Sequence, residues 1–217
     1  MTKQQRAIVS QASSFLQDRY QNDSSGHDWW HLERVWRNAK VLARGEKVDH
    51  FLIEMAALLH DVDDSKVKPE GEKEFARTEP ILQEFQITAE TKEKLYVIIR
   101  TVSFHGGFNA SPTSLEGSIV QDADRLDAIG AIGIARCFAY NGNKGSPIYD
   151  PTMEPKTFDS FSWYRKHTST AINHFYEKLL LLKDRMNTPQ AQKIAEHRHR
   201  VLEEYLKEFF AEVEGRR

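Results

Sequence analysis

The chain has 217 residues, a single cysteine, nine histidines and a formal net charge of −2. That length allows one large core or two small ones, and the near-neutral charge argues against a general nucleic-acid binder, which would carry a basic excess. Cys137 alone excludes an internal disulfide framework and a cysteine-based zinc site, and no apolar run approaches the roughly 20 residues needed to span a bilayer.

The first segment places Ile8, Val9, Ala12, Phe15, Leu16 and Tyr20 at helical spacing. Its Lys3, Arg6, Asp18 and Arg19 are unlike a signal peptide, so a soluble cytoplasmic protein is expected. Asn22 to Gly26 breaks this helix. A second helix starts near His27 or Asp28, carries Trp29, Leu32, Val35, Trp36, Ala39, Val41 and Leu42, and ends near Arg44-Gly45. A third starts near Asp49. Its stretch from Phe51 to Leu59 has only Glu54 charged, the pattern of a buried helix, and it runs straight into His60, Asp61, Asp63 and Asp64.

Lys66 to Gly71 reads as a polar loop. Glu72 to Phe85 mixes charges with Phe75, Ile81, Leu82 and Phe85, a helix packed on one face or, because of Pro80, two short pieces. Thr88 is an N-cap for a helix through Val102 that stops before His105-Gly106-Gly107. Thr113 to Ala139 holds two closely joined helices, whose small residues (Ala123, Ala128, Gly130, Ala131, Gly133, Ala135) permit close approach. From Asn141 to Phe158 the helical pattern fails, leaving a long irregular loop. Phe158 to Met186 and Pro189 to Val213 are two further amphipathic helices, the second opened by Thr188 and Pro189. There is no alternating strand pattern and no repeat. The expected fold is a single all-α domain, 1–217, of eight to ten helices, with a core over about residues 20–140 and an appended C-terminal helix pair over about 158–215.

Three helices each offer ligand-type side chains, and each set has a plainer reading. His27 and His31 lie one turn apart, yet a histidine beside tryptophans is also an ordinary packed residue. His60, Asp61 and Asp64 could be a helix end with surface acids. Asp122, Asp124 and Asp127 could be capping carboxylates. Ionisable groups closing an apolar helix are costly unless paired or bound to a metal, so the conjunction of the three sets points to a metal site.

His31, then His60-Asp61 after an apolar helix, then Asp124 resembles the H…HD…D signature of the HD superfamily of metal-dependent phosphohydrolases. The stretches Gly26 to Val35, Leu59 to Lys66 and Asp122 to Ala131 resemble a bacterial branch of small HD nucleotide pyrophosphohydrolases. Phe175 to Leu180 and Met186 to Thr188 are similar to the same branch, so the likeness covers nearly the whole chain.

The resemblance implies that His31, His60, Asp61 and Asp124 bind metal, and that His27 and Asp28 orient His31 or border the pocket. Two imidazoles and two carboxylates suit manganese, iron, nickel or magnesium, with manganese favoured. Only His105 lies between the His-Asp pair and Asp124, which favours one metal ion. Asp64 is the expected general base, and Lys66 and Arg125 are expected to hold substrate phosphates. His105 touches substrate or merely caps its helix, and Lys178 matches the branch without an evident role. The guanosine tetraphosphate hydrolases of the superfamily carry an acidic pair that Glu72 and Glu74 do not form.

The implied reaction is hydrolysis of a (deoxy)nucleoside triphosphate to monophosphate and pyrophosphate by a metal-activated water. The alternatives are a 5′-nucleotidase or phosphodiesterase using the same site, or a non-catalytic nucleotide-sensing module. The expected partner is a nucleotide or another small phosphate ester, with no membrane and no general nucleic acid; a homodimer is left open.

Overall fold

Helix α1 (Lys3–Tyr20) begins at Thr2, whose hydroxyl accepts from the Gln5 N–H while the Gln5 side chain accepts from the Thr2 N–H, a reciprocal cap. The structure, a computed structural model, describes residues 1–21, 28–63, 73–108 and 110–216. Helices α2 (Trp29–Leu42), α3 (His50–Leu59), α4 (Thr78–Glu84), α5 (Ala89–Val102) and α6 (Leu115–Asp127) follow. Then come α7 (Gly130–Asn143), α8 (Phe161–Lys166), α9 (Ala171–Glu177) and α10 (Pro189–Val213), with short 3-10 turns at His105–Gly107, Leu179–Leu181 and Lys183–Arg185. The protein is all-α, with no strand among the described residues. None of the described helices is long and apolar enough to cross a membrane. The chain forms two compact units, Met1–Asp124 and Arg125–Arg217, and α6 runs across their boundary.

In the first unit α3 is the central element. Asp49 starts it by accepting from the Phe51 and Leu52 N–H groups, every residue from Phe51 to Leu59 is buried, and α1, α2 and α5 pack around it. The sequence leaves Glu54 unexplained in this apolar run; Trp36 Nε1 on α2 donates to its carboxylate at 2.8 Å. Hydrogen bonds to a carboxylate are worth roughly 1.5–3 kcal/mol. Trp36→Phe, which removes the donor together with part of the ring, is therefore expected to lower the urea unfolding free energy by at least about that amount. An unchanged unfolding curve would mean that Glu54 is satisfied by other means.

Helix α6 is tied to its neighbours by polar contacts as well as packing. Glu116 accepts from the Asp49 N–H at 3.0 Å, Asn38 on α2 donates to the Ala123 carbonyl at 3.3 Å, and Gln121 donates to the Thr101 carbonyl at 2.5 Å. The predicted helix from Glu72 to Phe85 is shorter than its pattern suggests. Residues 73–77 are not helical and the helix begins at Thr78, so Pro80 falls in the first turn, where no intrahelical N–H is needed.

In the second unit α10 packs along α7, and α9 also lies on α7. Phe175 stacks on Tyr205 with ring centroids 5.6 Å apart, and Phe138 contacts both. At the end of α6, Arg136 pairs with the buried Asp127 at 3.1 Å, and Arg198 donates to the Leu126 carbonyl at 2.5 Å. Gly130 sits at φ +75°, a left-handed conformation open to glycine, with the Arg198 side chain against it.

Two sequence expectations need correction here. The predicted helix from Phe158 to Met186 is broken into α8, α9 and two 3-10 turns. His167 is extended (ψ 132°), and Thr170 starts α9 afresh by accepting from the Asn173 N–H. The expected irregular stretch from Asn141 begins late, because α7 continues to Asn143; Asn141 is buried and donates to the Cys137 carbonyl at 2.9 Å. Beyond α7 the segment is irregular but well tied. The Pro147 and Ile148 carbonyls accept the Ala171 and Ile172 N–H groups, which the start of α9 would otherwise leave unpaired. Buried Glu177 accepts from the Lys156 N–H and the Ser169 hydroxyl and lies 3.3 Å from His167 Nε2.

Candidate metal centre

His31 enters the site from the first turn of α2. Asp28 caps that helix by accepting the His31 N–H at 2.8 Å, so the acid three residues upstream fixes the backbone from which the imidazole projects. His60 follows the last residue of α3, and Asp61 lies in the turn that the Val62 N–H closes onto the Leu59 carbonyl at 3.1 Å. Asp124 lies in the last turn of α6. All four belong to the first unit.

The side chains converge. One donor atom each from His31, His60 and Asp124 lies within 4.8 Å of the others. His31 Nε2 is 3.1 Å from Asp61 Oδ2 and 3.6 Å from Asp124 Oδ1; His60 Nε2 is 3.4 Å from Asp61 Oδ1 and 3.8 Å from Asp124 Oδ1. Neighbouring ligands on an octahedral cation with bonds of about 2.1 Å stand about 3 Å apart, so these separations are of the right size. His31 is 1 % exposed and His60 3 %, whereas the Asp124 side chain is 23 % exposed. The group is enclosed on the histidine side and open on one edge.

One histidine shows what the group lacks. His60 Nδ1 lies 2.8 Å from the Ala57 carbonyl, which can only accept, so Nδ1 carries the proton. In the neutral ring this leaves the lone pair on Nε2. That atom is buried, finds no hydrogen-bond partner among the described residues, and faces carboxylate oxygens. A lone pair aimed at carboxylates is repulsive unless a cation lies between them. The donor set therefore fits a divalent metal ion, and the Ala57 carbonyl is the outer partner that orients the imidazole.

The other expected site residues have different surroundings. Asp64, Lys66 and His27 lie outside the described residues. Arg125 is buried and donates to the Arg185 carbonyl. Asp122 and Asp127 are both buried, Asp127 beside Arg136. Glu74 forms a two-pronged ion pair with Arg100 at 2.9 Å on each oxygen. Asp63 is not simply a solvated acid at the end of α3. Its carboxylate accepts the Arg77 N–H at 3.1 Å and the Thr78 N–H at 2.8 Å, capping α4 from 14 and 15 residues upstream. The Asp28 cap has a visible signal, an acid three residues before a helical histidine. Asp63 has none.

The HD-domain family profile matches residues 29–129, the span that contains all four converging residues. The chain is 36% identical to Bacillus subtilis YpgQ over 209 residues, which is 95% of this chain and 94% of YpgQ. A crystal structure of YpgQ in complex with ADP superposes with a TM-score of 0.74, at 34% identity, over 94% of this chain and 97% of that one. A Lactobacillus plantarum protein of known structure is similar over 99% of both chains, with a TM-score of 0.86 and 38% identity. An HD-superfamily hydrolase from Bacillus thuringiensis is 41% identical, with a TM-score of 0.71, over 97% of this chain and 98% of its own.

Proposed function

The chain belongs to the HD superfamily of hydrolases, and on that footing we propose that it is a metal-dependent phosphohydrolase cleaving (deoxy)nucleoside triphosphates between the α- and β-phosphates. The observation that carries the metal requirement is the buried lone pair of His60 Nε2 among the oxygens of Asp61 and Asp124. The nucleotide part is supported by the ADP complex of YpgQ, a relative similar along nearly its whole length. The monophosphate and pyrophosphate products rest on the branch resemblance of the sequence.

His31, His60, Asp61 and Asp124 hold one divalent cation in this reading, manganese before iron, nickel or magnesium. Such a cation supplies Lewis acidity: it lowers the pKa of water and offsets charge on phosphoryl oxygens. The chain supplies the rest. Asp64 accepts the proton of the attacking water as general base, and Lys66 and Arg125 hold the phosphate chain as cations. Arg125 stays in this role through its place next to Asp124 in the sequence.

Asp64→Ala is expected to retain metal at the wild-type stoichiometry while losing turnover by a factor on the order of 10² or more. Metal analysis and steady-state rates on the same preparation check this; unchanged turnover would remove Asp64 from the mechanism. Assay of the metal-loaded protein against a broad nucleotide panel tests the activity itself. Nucleotide binding without hydrolysis of any member would identify a sensing module instead. Hydrolysis of monophosphates or cyclic nucleotides alone would identify a nucleotidase or phosphodiesterase.

A further inference from the structure

Asp63 follows the His60-Asp61 pair by two residues, yet its carboxylate is spent on a different helix. The residue at the cap position of α4, Arg77, offers no side-chain hydrogen bond to the helix. The Arg77 and Thr78 N–H groups instead find one oxygen each of Asp63. A two-oxygen acceptor on two consecutive N–H groups fixes direction as well as distance, as a single bond would not.

The helix end that Asp63 grips is itself anchored. Glu79, in the first turn of α4, takes hydrogen bonds from Lys92 at 2.7 Å and from the Tyr96 hydroxyl, both on α5. These hold its carboxyl down at about 2, the Lys92 bond first and the Tyr96 bond second. Tyr96 stacks on Phe75 with centroids 4.1 Å apart, and the Arg100 guanidinium lies over the same Phe75 ring, 5.1 Å from its centroid. Phe75 has φ +57°, a left-handed backbone that an aromatic residue adopts only when its surroundings impose it. Thr78 is wholly buried. The α4 start is thus a fixed point on α5, and the turn carrying two of the four metal-site residues hangs from it through Asp63. On its other side that turn is held by α3. Tyr20, at the end of α1, also lies within reach of the Asp63 charge, which adds to the effect of burial in raising its pKa.

We propose that Asp63 is a positioning residue of the metal centre: by binding the first N–H groups of α4 it holds the turn that presents His60 and Asp61 at the separations a divalent ion needs. The inference rests on the reading of His31, His60, Asp61 and Asp124 as metal ligands. Outer partners of ligands contribute roughly 10–100-fold to metal affinity, and a residue acting through the backbone of two ligands belongs in that range.

Manganese affinity of the full chain, measured by equilibrium dialysis well below the thermal transition, tests the proposal without any assay of turnover. Asp63→Ala is expected to weaken binding roughly 10–100-fold. Asp63→Asn keeps one acceptor and loses the other, so it is expected to fall between Asp63→Ala and wild type, and it carries the test should the alanine variant not fold. Thr88→Ala, which removes the cap that accepts the Thr91 N–H at 3.3 Å at the start of α5, serves as the comparison. It is expected to lower the thermal midpoint and leave manganese affinity unchanged. Wild-type affinity in both Asp63 variants, with only the midpoint lowered, would reduce Asp63 to a helix cap and overturn the proposal. Equal weakening in Thr88→Ala would overturn it too, by assigning the effect to general loss of stability. If wild-type protein itself bound no manganese or other divalent cation, the metal-site reading would fail, an outcome distinct from both.

Discussion

Asp61→Ala and His60→Ala are expected to purify folded but with little bound transition metal, and to hydrolyse nothing above background in the presence of manganese. Asp61 lies between the two imidazoles, one oxygen 3.1 Å from His31 Nε2 and the other 3.4 Å from His60 Nε2. Removing it deletes the carboxylate nearest to both nitrogens and leaves Asp124, at 3.6 and 3.8 Å, as the remaining carboxylate of the four residues. The loss of affinity should exceed the roughly 10–100-fold that outer partners cost, because a donor itself is gone. His60→Ala removes the imidazole whose Nδ1 is already committed to the Ala57 carbonyl and whose Nε2 is free of other hydrogen bonds among the described residues. Stoichiometric metal in the as-isolated variants, by elemental analysis, would show that the cation binds elsewhere. A folded circular dichroism spectrum is part of the expectation, since α3 ends before His60 and its buried residues are left untouched.

Gly133→Ala is expected to destabilise the protein by roughly 3 kcal/mol or more, at or beyond the upper end of ordinary overpacking. A Cβ at this position would stand 2.3 Å from the Ala128 carbonyl oxygen and 2.5 Å from its carbon. Both atoms are backbone, at the junction where α6 ends and α7 begins, and no rotamer change relieves the clash. The junction would have to open. Gly142, in the same helix, has nothing within 4 Å of the Cβ position. Gly142→Ala should therefore be neutral or gain up to about 1 kcal/mol from helix propensity. Urea unfolding of the pair separates the two explanations: equal effects would mean that the close approach at Gly133 is not what the sequence protects.

What the sequence discloses about the fold follows the physics of each segment. A run such as Phe51 to Leu59 has one reading, because nine residues with one charge cannot face water on any side. Asp49, Thr88 and Thr188 announce their helices because a capping oxygen acts within three residues. The break between α8 and α9 is concealed because apolar residues keep helical spacing across it; Thr170 is a cap hidden within a run of hydroxyl residues, and Glu177 holds the segment from the far end. Asp63 is concealed for a related reason. Its partners are backbone N–H groups 14 and 15 residues away, and main-chain donors leave no trace in residue identity.

The candidate site was legible in a different way. No single stretch specified it, since His27-Asp28 and His60-Asp61 are the same dipeptide. The spacing of His31, His60-Asp61 and Asp124 carried the resemblance, and in the structure these four side chains converge. Their outer partners were less visible. Asp28 acts on the His31 backbone at short range, whereas the Ala57 carbonyl and the Asn38 bond to Ala123 depend on helix placement.

The central claim, metal-dependent cleavage between the α- and β-phosphates of a nucleotide, is tested most directly by resolving the products of one reaction. Manganese-loaded protein incubated with a deoxynucleoside triphosphate and followed by phosphorus NMR should give monophosphate and pyrophosphate in equal amounts, with neither product formed when a chelator is present. Diphosphate with orthophosphate, or unchanged substrate in the presence of manganese, would contradict it.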